Sequence, residues 1–324
     1  MLDALWERRA LLVSGKGGVG KTTLAATLAR AAEASGQRVL LAEVEMAAEA
    51  SAGAEVPSPL ASLVGARVSG AQVTEVSSRL SFVRLSPFEG QRLFLQDVLP
   101  LRVMADAALR TRALRRFLEA APAFREMGTL YQLLHLLRRT RADGSPVHPL
   151  CLVDLPATGH ALALAALPDA LLSVMPGGPI GRATREGLTL LRDPRLTGSL
   201  IVTLPEPLPV SESLELAAAI RHHRIPIIAG VLNRMPDNPF SPEGRAAVER
   251  LLDARGPHQG QRALRRLDRA RAARQRFEEN LSAPLLTLPE LPVSGKALVE
   301  RLVTHLASAA LSQMPAPPSA GATP

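Results

Sequence analysis

The sequence predicts an α/β fold built on a doubly wound, mostly parallel sheet with a helical insertion, and three observations carry that reading. An apolar run over residues 10–14 enters a glycine-rich loop, a helical pattern follows over 22–35, and a second apolar run occupies 39–42. After residue 141, short apolar strands again alternate with helical patterns, as a parallel sheet covered on both faces requires. Between these two parts, residues 91–141 carry helical spacing and no convincing strand.

The elements follow in order. The first helix places Leu24, Leu28 and Ala31 on one face and closes at Gly36. Residues 47–70 are small and loop-like, and a strand is expected over 80–85. Within the insertion the apolar positions are Leu93, Phe94, Leu114, Phe117, Leu118, Tyr131, Leu134 and Leu137, read as packing onto the core or as a partner-binding subdomain. Further strands are expected over 150–154, 170–175, 199–204, 227–232 and 284–288, and helices over 182–191, 211–221, 243–254 and 296–311. The arginine-dense stretch 261–277 reads as a solvated helical face. Residues 1–312 are thus expected to form one domain that includes the insertion, and 313–324, rich in Pro, Ala, Ser and Gly, a flexible tail.

Composition excludes several classes. In 324 residues of which 47% are apolar, no run reaches the roughly 20 residues of a membrane-spanning helix. The N-terminal MLDALWERRALLVSG leads into a glycine loop instead of a cleavage site, so no export signal is expected. The single cysteine, Cys151, sits in an apolar strand, which suits a reducing cytoplasm and argues against a thiolate metal site. A net charge of +8 attracts phosphate-bearing partners. However, only Lys16, Lys21 and Lys296 are lysines, and so arginine-heavy a charge in an alanine-rich chain reads as compositional bias. Nucleic acid is therefore not the expected partner.

Two of those three lysines lie in one loop, GKGGVGKT from Gly15 to Thr22, which fits GxxxxGK[ST] between an expected strand and helix. Gly15, Gly17, Gly18 and Gly20, with Val19 between them, let backbone N–H groups turn inward around phosphates. The helix start, with Thr22 and Thr23, adds its positive end. Lys21 is placed to reach the terminal phosphates and the Thr22 hydroxyl to ligate Mg²⁺. A compact ammonium on a flexible stem suits this closure where a forked guanidinium does not. ATP and Mg²⁺ are the expected ligands. Asp154, closing the strand Cys-Leu-Val-Asp, is the candidate carboxylate for the metal's water shell, and the LPATGH that follows is a candidate switch loop. In LLAEVEM, Glu43 or Glu45 is placed to orient an attacking water, or to sit as an ordinary carboxylate at the sheet end.

With these residues in view, GKGGVGKTT resembles the deviant Walker A loop of the P-loop NTPase class that includes MinD, ParA, the nitrogenase iron protein and the ArsA-type ATPases. The resemblance implies a nucleotide-sandwich dimer in which Lys16 crosses to the partner's nucleotide. DLPATGHALALAALP, from Asp154 to Pro168, is similar to switch II of the ArsA and guided-entry (tail-anchored protein targeting) branch, whose bacterial members are single units. TLPEPLPVSES from Thr203 to Ser213, VLNR around Asn233, PLLTLPELPVSG around Pro292, and APAFREM from Ala121 to Met127 resemble further family segments. The resemblance implies that Asn233 reads adenine, that Pro292 belongs to the adenine loop, and that Glu45 takes the place of the switch I aspartate, one methylene longer. Cys151 alone matches neither the metalloid cysteines nor the CxxC zinc site of family members.

The expected function is a cytoplasmic, Mg²⁺-dependent ATPase acting as a dimeric switch, a homodimer or a heterodimer with a paralogue. Residues 91–141 would handle an unnamed protein client. The alternative is a weakly hydrolysing or non-hydrolysing regulator of the ParA or MinD kind, gated by nucleotide and acting on a membrane or DNA surface.

Overall fold

A computed structural model describes residues 2–45, 57–98, 122–157, 166, 168–170, 172–173, 176–253 and 259–312. Eight strands form one sheet: β1 (Ala10–Gly15), β2 (Val39–Val44), β3 (Thr74–Glu75), β4 (Leu80–Leu85), β5 (Leu150–Asp154), β6 (Thr197–Thr203), β7 (Ile227–Met235) and β8 (Leu285–Pro289). Their order is β3-β4-β2-β5-β1-β6-β7-β8, with every pairing parallel except the short β3–β4 edge. The described helices are α1 (Leu2–Trp6), α2 (Lys21–Ala34), α3 (Pro59–Val64), α4 (Pro87–Val98), α5 (Pro122–Arg138), α6 (Gly178–Arg192), α7 (Pro207–His222), α8 (Pro242–Asp253), α9 (Gln259–Leu281) and α10 (Gly295–Ser312).

The strands are apolar throughout because both faces are covered. Alternate residues sort into two cores. Leu11 and Val13 of β1, with Leu150 and Leu152 of β5, pack under α2, α3 and α10. Ala10, Leu12, Cys151 and Val153 face α5, α6, α7 and α9. From β1 the chain winds outward one way through β2 and β4, then the other way through β6, β7 and β8. That reversal leaves a crevice at the carboxyl end of β1, where α/β sheets bind ligands.

Seven expected strands and the helices after residue 176 stand within a few residues of their predicted bounds. Of the strand expected over 170–175, the described residues Ala170, Leu172 and Ser173 are helical instead, and both edges of β1 are already taken, by β5 and β6. The stretch 47–70, expected to be loop, contains α3, started by Pro59 behind a Ser58 cap whose hydroxyl accepts from the Ala61 N–H. The insertion begins as helix at Pro87, and its expected residues Leu114, Phe117 and Leu118 lie outside the described residues, as does the tail 313–324. Tyr131, Leu134 and Leu137 are buried, as the packing reading of this segment requires. Phe94 meets Tyr131 edge to face at 5.3 Å between ring centroids. In α9 the apolar positions Leu264, Ala270, Ala273, Phe277 and Leu281 are buried while most of its arginines are exposed, so the arginine-dense stretch is one face of a packed helix.

Candidate nucleotide site

The glycine loop leaves β1 at the crevice and closes into α2. Gly18 and Gly20 adopt φ of 82° and 93°, the left-handed region that a side chain disfavours. Gly15 is tight for another reason, since a Cβ there would lie 2.5 Å from the Val202 carbonyl oxygen of β6. The helix begins at Lys21, directly after Gly20, so its unpaired N–H groups and positive end face the loop.

Asn233 fixes the loop from the side. It faces α2 from the end of β7, where the register with β8 shifts between Leu232 and Met235. Its Nδ2 donates to the Val19 carbonyl at 2.8 Å and its Oδ1 accepts from the Arg234 N–H at 3.0 Å. A Cβ on Gly20 would lie 2.3 Å from that Nδ2. Asn233, expected as the adenine reader, is thus placed against the loop itself.

Two lysines leave the loop in different directions. Lys21 Nζ turns back and donates to the Lys16 carbonyl at 3.0 Å, and burial lowers its pKa, opposed by the charge of Asp154. Lys16 points away, 48% exposed at its side chain, and pairs with Glu212 of α7. Sequence reasoning did not single out Glu212. The available signal was the first acid inside a helix that begins Pro-Leu-Pro.

Asp154 ends β5 between β1 and β2, level with Val13 and Glu43. Leu150 and Leu152 point to the α2 face, and the alternation of the strand sends Asp154 there too, toward Thr22. Burial pushes its carboxyl up to about 6; a hydrogen bond with Thr22 and the Lys21 charge hold it down, and Glu43 adds to the rise. Its Oδ1 is buried without a hydrogen-bond partner, the kind of orphan that calls for an ion or water. A buried carboxylate with a free oxygen beside a threonine hydroxyl is a hard oxygen donor pair and fits Mg²⁺.

The two candidate glutamates separate. Glu43 takes the Arg84 Nε–H at 3.2 Å in a pair exposed 13% and 9%, and accepts a long 3.4 Å bond from the Leu60 N–H, so its carboxylate is committed. Arg84, a single charge inside the apolar strand LSFVRL, was the signal for that pairing. Glu45 lies just past β2, half-buried, its N–H donating to the Leu85 carbonyl at 2.9 Å, and no described residue hydrogen-bonds its carboxylate. Pro292 is exposed in the loop between β8 and α10. Of the LPATGH segment, Leu155, Pro156 and Ala157 are described, and Thr158, Gly159 and His160 lie outside the described residues.

A strand, a left-handed glycine loop that opens a helix, and an acidic strand end facing that helix together define a phosphate-binding P-loop site on a parallel sheet. Residues 10–278 match the CobQ/CobB/MinD/ParA nucleotide-binding domain family, and the chain belongs to it. Among its relatives are ATPase BagA of Mycobacterium tuberculosis and the Mb3704 protein of Mycobacterium bovis. Each is 30% identical over 249 residues, which cover 76% of this chain and 71% of the relative.

Proposed function

We propose that this chain is a Mg²⁺-dependent ATPase of the ArsA and guided-entry type, a dimeric switch that closes with ATP and opens on hydrolysis. The observation that carries the reading is the divergence of the two loop lysines: Lys21 turns inward toward Asp154, and Lys16 points outward to Glu212. In this reading Lys21 stays with the phosphates of its own chain. Glu212 holds Lys16 in the single chain and releases it to the partner's nucleotide when two loops meet. That the relatives include a protein named an ATPase supports the hydrolytic part.

Thr22 and Asp154 would hold Mg²⁺, which supplies positive charge at the β- and γ-phosphate oxygens when bound. The backbone N–H groups of residues 15–23 cradle the phosphates, and Asn233 and the Pro292 loop flank the base. Glu45 orients the attacking water. Its extra methylene relative to aspartate loosens that placement, so turnover is slow. We assign client handling to the insertion 91–141. Metalloid transport is not the proposed role, because one buried cysteine supplies no soft-ligand cluster. No helix among the described residues is long and apolar enough to cross a membrane, and a soluble, cytoplasmic role is part of the proposal.

Sedimentation with a non-hydrolysable ATP analogue and Mg²⁺ tests the switch. Wild type is expected to move from monomer to dimer, Lys21→Ala to lose nucleotide binding, and Lys16→Ala to bind nucleotide but stay monomeric. A chain that binds the analogue fully and remains monomeric contradicts the proposal.

A further inference from the structure

Three neighbouring strands carry an ionisable residue at one level. Glu43 of β2 is in register with Arg84 of β4 on one side and with Asp154 of β5 on the other. Leu41, Phe82 and Leu152, two residues earlier on the same strands, all lie in the core under α2. Alternation along each strand sends Arg84, Glu43 and Asp154 to that same side of the sheet. They stand there in a row, at about 4.8 Å from strand to strand. On the far side of Asp154 the row ends at an apolar residue, Val13 of β1.

Glu43, in the middle, has both carboxylate oxygens drawn to partners other than Asp154. Its Oε2 accepts from Arg84 Nε at 3.2 Å, and its Oε1 accepts from the Leu60 N–H of α3 at 3.4 Å. Arg84 and Asp154 are buried, and Asp154 Oδ1 has no hydrogen-bond partner. Packing alone does not call for this arrangement, since an apolar pair at positions 43 and 84 would fill the space without burying two charges. What Arg84 changes is the balance of the row. With it, one of the two carboxylates is neutralised and held; without it, two carboxylates stand side by side next to the Thr22 hydroxyl. Two adjacent carboxylates and a hydroxyl are an oxygen site that takes a divalent cation unaided, whereas one carboxylate and a hydroxyl need phosphate oxygens to complete the shell.

We propose that Arg84 is a positioning residue for the metal: by holding Glu43 it keeps that carboxylate from joining Asp154 as a second ligand, so that a divalent cation binds only together with the nucleotide's phosphates. The inference rests on the reading of Thr22 and Asp154 as the residues that hold Mg²⁺. Arg84 acts through Glu43 and touches neither metal nor nucleotide. Its consequence is an order of binding, in which an empty glycine loop does not trap a cation and Mg²⁺ arrives with ATP.

Mn²⁺ is the probe, titrated into the full chain without nucleotide and followed by the paramagnetic resonance signal of the free ion. Arg84→Met is expected to take up one Mn²⁺ per chain, about tenfold or more tighter than wild type, because the count of ligand charges sets the affinity of such sites. Arg84→Lys, which restores the cation, should behave as wild type. Adding Glu43→Gln or Asp154→Asn to Arg84→Met should remove the gain. Arg84→Gln is the second variant if Arg84→Met does not fold: it keeps a donor for Glu43 but no charge, and the gain is expected at reduced size. A merely structural ion pair would lower Tm in Arg84→Met and leave Mn²⁺ uptake as in wild type, and that result overturns the proposal. So does a gain that survives Glu43→Gln, which would place the ion elsewhere. The parent reading is tested apart from these arms, by wild type with ADP present: failure to take up one Mn²⁺ per chain there would remove Thr22 and Asp154 as metal holders, whereas the Arg84 arms contain no nucleotide.

Discussion

Asn233 and Gly20 act as one unit at the residue scale. The asparagine amide occupies the space a Cβ on Gly20 would need, and its bond to the Val19 carbonyl holds the loop turned inward. Gly20→Ala therefore combines two costs, left-handed backbone strain of about 1–2 kcal/mol and a clash with Asn233. Asn233→Ala removes the clash but leaves the strain. A double-mutant cycle in denaturant should show Gly20→Ala less destabilising on the Asn233→Ala background, with a coupling of about 1 kcal/mol or more. Strict additivity would mean that the two do not share the space. The glycine pattern was legible in the sequence because phosphate loops demand left-handed turns at fixed spacing. The Asn233–Val19 bond was not, since it joins residues 214 apart and depends on the β7 register shift. Likewise the pairing of Glu43 with Arg84, which separates Glu43 from Glu45, needs β2 and β4 side by side.

The clearest test at the scale of elements lies where α4 meets α5. A Cβ on Gly90 would lie 1.7 Å from the Gly128 carbonyl oxygen, and one on Gly128 would lie 2.1 Å from the Pro87 carbonyl oxygen. The two helices thus touch backbone to backbone through glycine. Gly90→Ala or Gly128→Ala must push them apart, at a cost of about 3 kcal/mol or more, seen as a fall in Tm of roughly 5 °C or more. A variant that melts with wild type would contradict the close crossing. The helical spacing of this region was readable in sequence, yet the crossing was not, because a glycine inside a helical pattern reads only as a weak helix former. That residues 168–170 and 172–173 are helical was missed for a related reason. A short apolar run fits strand or helix equally well, and only the filled edges of β1 decide between them.

For the whole molecule, the reversal of strand order on either side of β1 collects the glycine loop, Asp154, Asn233 and the start of α7 along one carboxyl edge. Fold class followed from alternation alone, since parallel strands need crossover helices. The particular order, with β5 slotted between β1 and β2, could not be read from a pattern that is periodic along the chain and silent about neighbours across it. The proposed dimeric switch requires, at this scale, that two loops, each carrying Lys16 and Lys21, form one hydrolytic unit. It is tested most directly by steady-state ATP hydrolysis with Mg²⁺ across a range of protein concentration, with Lys16→Ala and Lys21→Ala beside wild type. A dimeric switch gives slow turnover whose specific activity rises with concentration, and loss of activity in both variants. Specific activity independent of concentration, with Lys16→Ala as active as wild type, would contradict it.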